Sequence, residues 1–191
     1  MKQLKGYSEA KVISGGFPQL PKGGYVAKIM DCKEESKNGY SWLAFSFDIA
    51  EGDHKGHFAE QYRANTNEDK KWRGTYNAFI PDEGSQYYED NLNRFKTMMA
   101  NIEDSNEGYH WDWDEKKLKG KMCGVLFGEK EFETVNGDVI ILTECRGIRS
   151  VECIREGKYK IPAPKTLNKS STPSAAGYTP VSTADDDDLP F

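Results

Sequence analysis

The chain has no run of about 20 apolar residues, which excludes a membrane-spanning helix. Its start, MKQLKGYSEAKVISGG, has early lysines but no apolar stretch behind them, so no secretory leader is expected. Cysteine is scarce: 4 in 191 residues, with no Cys-x-x-Cys pair among positions 32, 123, 145 and 153. That argues against a disulfide framework and against the common zinc modules, and the expectation is a soluble cytosolic protein with reduced thiols. Gly-x-Ser-x-Gly, the phosphate-binding loop and the dinucleotide fingerprint are all missing. His54 and His57 sit three apart near Asp53 and Glu60, but two histidines in a Gly-rich turn are more readily solvated loop residues than metal ligands. The carboxylates form no pattern that a metal-dependent nuclease needs. No cofactor, no metal and no catalytic residue is therefore expected.

What is abundant is charge and aromatic rings. Charged residues make up 30%, hydrophobic residues 37% and aromatic residues 12%, the last as 4 Trp, 10 Tyr and 9 Phe; mean hydropathy is −0.78. A small core does not need so many rings, so some are expected on a working surface. Net charge is −5, but its placement matters more. Residues 161–191 hold only Lys165 and Lys169 against Asp185, Asp186, Asp187 and Asp188, leaving 24 basic and 27 acidic groups in residues 1–160. Such a balance leaves room for a local basic groove.

Composition shifts near Gly157. Residues 1–160 read as a domain, residues 161–184 as a flexible Pro/Ser/Thr/Ala linker too poor in apolar side chains to fold, and residues 185–191 (DDDDLPF) as a separate tip. Within the domain, Tyr25 to Glu34 reads as a strand, with Tyr25, Ala27 and Ile29 on one face and Val26, Met30 and Cys32 on the other. Asn38-Gly39 marks a turn. The clearest alternation follows: Leu43, Phe45, Phe47 and Ile49 form a core face, with Tyr40 and Trp42 turned the other way. A third strand is expected over Phe58 to Asn65, irregular chain over 66–84, and a helix from about Gln86 to Glu103 capped by Asp82 or Ser85. The helical stripe is Tyr88, Leu92, Phe95, Met99 and Ile102. With Met98, it reads as core or as a subunit contact in a homo-oligomer. Trp111 and Trp113, among acidic neighbours, are expected to pack. Met122 to Phe127 reads as a fourth strand, Asn136-Gly137 as a hairpin, and Val139 to Thr143, continuing through Ile148 to Ile154, as a fifth. Five strands with one helix between the third and fourth match the OB-fold: mainly β, one helix, a five-stranded barrel, then a disordered C-terminal tail.

The tip has the chemistry of a tethered peptide ligand. Its aspartates speed encounter with a basic surface. Leu189, Pro190 and Phe191 add an apolar, conformationally restricted anchor beside a carboxylate. The competing reading is a solubilising tail, which gives no reason for the apolar end. Asp185 to Phe191 resembles the acidic tip of bacterial single-stranded DNA-binding proteins, which ends in aspartates, an aliphatic residue, Pro and Phe; the layout of OB domain, linker and tip is similar as well. The body resembles phage-encoded single-stranded DNA-binding proteins in Leu20-Pro21-x-Gly23-x-Tyr25, in Leu43-x-Phe45-x-Phe47-x-Ile49-x-x-Gly52-x-x-x-Gly56 and in Leu118-Lys119-Gly120-Lys121. The run of four aspartates is more compact than in many bacterial tips, which bears on affinity for any one partner. The resemblance implies a role in phage DNA replication, recombination and repair, in the cytoplasm of a bacterial host, with the tip docking replication and recombination proteins.

Single-stranded DNA is held by rings that stack on bases and cations that neutralise phosphates. In an OB-fold the second and third strands and the 1–2 and 4–5 loops form the ligand face. The candidates are Lys37, Tyr40, Trp42, Tyr62 and Arg63, with Lys130 and Phe132 near the last hairpin. For Tyr62 and Phe132 a core role competes. Lys70-Lys71-Trp72-Arg73-x-x-Tyr76 interleaves cations and rings and reads either as a flap over the groove or as a loop whose Trp72 packs back on the barrel. Other functions stay open: an OB protein-interaction adaptor, or an accessory factor such as a small nuclease or annealing protein.

Overall fold

The computed structural model describes residues 17–167; the tip at 185–191, most of the expected linker and residues 1–16 lie outside the described residues. The described chain is mainly β. Strands β1 (Gly23–Lys37), β2 (Tyr40–Ile49), β3 (Thr75–Phe79), β4 (Met122–Glu133) and β5 (Val139–Arg149) form one antiparallel sheet in the order β3-β2-β1-β4-β5. Helices α1 (His57–Ala64), α2 (Tyr88–Asp104) and α3 (Val151–Arg155) join them, with a 3-10 turn at Glu115–Leu118. The sheet curls until β3 and β5 come within 8 Å at Cα, but no ladder joins them. The arrangement is OB-fold-like with an open seam rather than a closed barrel. None of the helices is long and apolar enough to cross a membrane.

The β2 alternation is observed as read: Leu43, Phe45, Phe47 and Ile49 are buried. On β1 the alternation changes phase. Ile29 pairs with Phe47 but Asp31 pairs with Ser46, so Met30 is an extra, bulged residue, 46% exposed. Beyond the bulge Cys32 joins Ala27 and Ile29 on the core face and is buried, a correction to the two-face reading of this strand. Val26, on the outer face, is buried for another reason. It pairs with Gly124, and α3 lies over that spot, where a β-carbon on Gly124 would sit 2.4 Å from Ile154 Cγ1.

The expected third strand is a helix instead. Gly52 and Gly56 adopt positive φ (79° and 76°) and turn the chain. Asp48, from β2, then accepts hydrogen bonds from the N–H groups of Phe58 (2.9 Å) and Ala59 (3.2 Å), satisfying the first turn of α1. Tyr62 and Arg63 therefore stand on α1. The true third strand lies in the stretch read as irregular, with Tyr76 and Ala78 turned inward from the exposed Thr75, Asn77 and Phe79. The described residues accordingly hold three α-helices rather than one, and Ile148 to Ile154 divides between the end of β5 and α3.

Helix α2 buries Phe95, Met98, Met99 and Ile102 in the core, with Tyr88 and Leu92 half-buried at its start; the methionines are core residues. Ser85 accepts a hydrogen bond from the Tyr87 N–H (3.2 Å), one residue before the helix opens. Trp111 packs against the core, whereas Trp113 is exposed and stacks on Phe95 with centroids 6.5 Å apart. Past Phe127, β4 no longer pairs with β1, and the β4–β5 ribbon extends as an arm. Residues 161–167, read as linker, run along the arm: Lys165 accepts from the Glu131 N–H (2.8 Å) and donates its own N–H to Glu129 O (2.9 Å).

Candidate nucleic-acid interface

The outer face of β2 and β3 follows from their register. Trp42 lies opposite Phe79, Ala44 opposite Asn77, and Ser46 opposite Thr75. The Trp42 and Phe79 rings meet edge-on with centroids 6.3 Å apart. Tyr40 is 65% exposed and Phe79 67%, while Trp42 is half-buried. Lys37 pairs with Tyr40 across the β1–β2 hairpin. The result is a row of rings with a cation at one end. Phe79 is absent from the candidates above; its signal was the short alternation Thr75-Tyr76-Asn77-Ala78-Phe79, too brief to stand out in a polar stretch. Glu35 pairs with Trp42 on the β1 side, so this patch is not uniformly cationic.

At the other end of β2 a groove of about 800 Å³ opens at the unclosed seam. Thr75, the first residue of β3, forms one side and Leu142 to Cys145 of β5 the other; Leu20, Phe58 and Phe127 supply apolar lining, and Lys71 and Arg73 stand on the β3 side. The segment read as a flap thus contributes to the wall. Trp72 is packed back: its indole N–H donates to Phe47 O (3.0 Å) and Gly74 O (3.2 Å). This pins the backbone so that Lys71 and Arg73, on either side of the ring, are exposed. Tyr62 meets Trp72 at 5.9 Å, and the Lys70 ammonium lies 4.7 Å over the Tyr62 ring. Tyr62, Lys70, Lys71, Trp72 and Arg73 are therefore gathered in one place.

The other candidates are not. Along β2 from Ser46, opposite the groove residue Thr75, Trp42 lies about 13 Å away and Tyr40, with Lys37 across from it, about 20 Å, at ~3.3 Å per residue. Arg63 is exposed on α1 and does not line the groove. Tyr76 faces inward against Phe45, and burial first, then the nearby Cys145, raises its hydroxyl pKa. Lys130 and Phe132 stand on the arm, and Lys130 is bound to Glu144 (3.1 Å). Burial pushes the Glu144 carboxyl up, but hydrogen bonds from Lys130 and Lys165 outweigh it and hold the pKa below its usual value. Lys37, Arg63, Lys70, Lys71 and Arg73 have no carboxylate partner among the described residues. A cation without an internal partner can exchange its counterions for a phosphate, whereas Lys130 would first have to leave Glu144.

Among the described residues no cluster of His, Cys, Asp and Glu suits a metal ion. His57 is buried among Phe17, His54 and Phe58. Its pKa is lowered by burial and then by the neighbouring His54.

The described chain is thus mainly β, with an OB-like sheet, a ring-bearing outer face and a groove at its seam that has Lys71 and Arg73 on one side and Glu144 on the other. Comparison with models of protein families and with curated proteins finds no match to this chain.

Proposed function

We propose that this protein is a non-catalytic, sequence-tolerant single-stranded DNA-binding protein serving phage DNA replication, recombination or repair in a bacterial host. Its acidic tip, Asp185 to Phe191, would recruit partner enzymes. The observation that carries the reading is the grouping of Lys70, Lys71 and Arg73, which have no carboxylate partner among the described residues, with the Tyr62 and Trp72 rings beside an open groove. The Tyr40–Trp42–Phe79 row, with Tyr40 and Phe79 exposed, continues along the same two strands. Cations placed beside rings suit a flexible strand whose bases are unpaired, because each base offers a face to stack on and each nucleotide a phosphate. Neither contact reads sequence.

The test is anisotropy of a labelled thymidine oligonucleotide titrated with the full chain, challenged by unlabelled single strands and by duplex of equal length. The reading expects single strands to displace the label far better than duplex. Equal indifference to both would favour a protein-interaction adaptor, and metal-dependent shortening of the label would favour a nuclease.

A further inference from the structure

The arm carries the most apolar exposed surface among the described residues: Phe132, Val135, Val139, Ile140 and Ile141 are all exposed, Ile141 at 60%. Its two edges differ. Along β4, residues 161–167 are already seated, and the Glu131 N–H and Glu129 O point outward to Lys165. In an antiparallel ladder, outward and inward residues alternate, so Lys130 and Phe132 bond inward to Leu142 and Ile140. On β5 the outward residues are then Val139, Ile141 and Thr143. This agrees with the far end of that edge, where the Gln19 side chain accepts from the Thr143 N–H (3.0 Å) and donates to Ile141 O (3.4 Å). Toward the tip, the N–H and C=O of Val139 and the N–H of Ile141 bond to nothing among the described residues.

An unpaired, aliphatic strand edge is a template for another strand. We propose that the edge at Val139–Ile141 pairs antiparallel with the same edge of a second copy of this chain. Residues 139 and 141 present the same groups in reverse order, so a two-fold axis through Ile140 lets Val139 of each copy exchange both hydrogen bonds with Ile141 of the other, the Ile141 carbonyl accepting on its second lone pair beside the long contact from Gln19 (3.4 Å). The ribbon then runs β4-β5-β5-β4. On one face Val139 and Ile141 from both copies meet at the centre, and Glu131 and Glu133, which pair with them on β4, fall outside as a charged rim. Residues 139–142 carry no charge, so the two copies do not repel at the contact. The same glutamates disfavour the other available occupants, nucleic acid and the chain's own aspartate tip. The contact is small, so the dimer is expected to dissociate at about micromolar concentration.

The experiment is sedimentation of the full chain from about 1 to 100 µM, read as mass, with two variants. The wild type is expected to move from 21.6 kDa toward twice that value. The double variant Val139→Lys with Ile141→Lys, at two exposed positions, is expected to stay monomeric with an unchanged thermal midpoint. Ile140→Cys is expected to form a self-disulfide under mild oxidation, because the axis sets the two Cα atoms about 4.5 Å apart. The wild type, with Cys32 and Cys123 buried and Cys145 and Cys153 half-buried away from the axis, is the oxidised control, and the Ile140→Cys crosslink is read as the disulfide dimer that the variant forms beyond it. A constant 21.6 kDa mass, or a dimer that survives the double lysine variant and leaves Ile140→Cys reduced, overturns the proposal. DNA binding is not part of this readout, so failure here leaves the proposed function standing.

Discussion

Removing Lys71 and Arg73 should change how DNA binding responds to salt more than it changes the fold. Each cation that contacts a phosphate releases counterions and contributes ~0.7 to the slope of log affinity against log salt for single strands. Four cations with no carboxylate partner among the described residues lie beside the candidate rings: Lys37, Lys70, Lys71 and Arg73. If all contact phosphate, the slope is about −2.8, and affinity falls about 50-fold between 50 and 200 mM salt. With Lys71→Ala and Arg73→Ala the slope should relax to about −1.4, and the same salt step should cost only about 7-fold. Both side chains are exposed and make no hydrogen bond among the described residues, so the fold should tolerate the change. Fluorescence anisotropy of a labelled thymidine oligonucleotide at several salt concentrations measures the slope directly. Lys96→Ala, on the exposed side of α2, serves as the control and should leave it unchanged. A double variant with the wild-type slope would refute the placement of the groove cations on the DNA path.

The remaining predictions concern the scaffold. Asp48→Ala removes the carboxylate that caps α1 from a neighbouring strand; thermal or urea unfolding should show a loss of about 1–2 kcal/mol. Gly124→Ala would drive a β-carbon to 2.4 Å from Ile154 and 2.8 Å from the Ser150 carbonyl; forced displacement of α3 should destabilise by about 1–3 kcal/mol in the same assay. His57 is held below its ordinary value of 6.5 by burial and then by His54. The unfolded chain therefore takes up its proton first as pH falls. Stability from this group is complete above pH 6.5 and declines as pH drops toward the lowered folded value. Melting of His57→Phe across that window should show a shallower decline than the wild type; an identical profile would count against His57 as the titrating group.

The parts of the fold that were legible in the sequence are those set by local periodicity. The alternation Leu43-Phe45-Phe47-Ile49 and the stripe through Phe95, Met99 and Ile102 each need only their own segment to be read, and Asn136-Gly137 closes its hairpin through its own backbone preference. What was not legible depends on residues distant in sequence. Helix α1 looks like a strand until Asp48, ten residues before Phe58, supplies its cap. Strand β3 has only Tyr76 and Ala78 to turn inward. The Met30 bulge shows only in the pairing of β1 with β2. The same division holds for the candidate site. Interleaved rings and cations at 70–73 marked a segment that the fold sets beside the groove, but which side chains stand free there followed from Trp72 finding Phe47 O and Gly74 O, a contact spanning 25 positions. Lys130 was a reasonable candidate by sequence and lost its freedom to Glu144, its neighbour only once β4 and β5 pair.

Intrinsic tryptophan fluorescence tests the central claim most directly, since Trp72 stands between the groove-lining Lys71 and Arg73 and Trp42 sits in the ring row. Titrating the full chain with long thymidine polymers in dilute buffer should give a saturable quench that added salt reverses. Unaltered emission and an unaltered sedimentation rate in that same buffer would contradict the account.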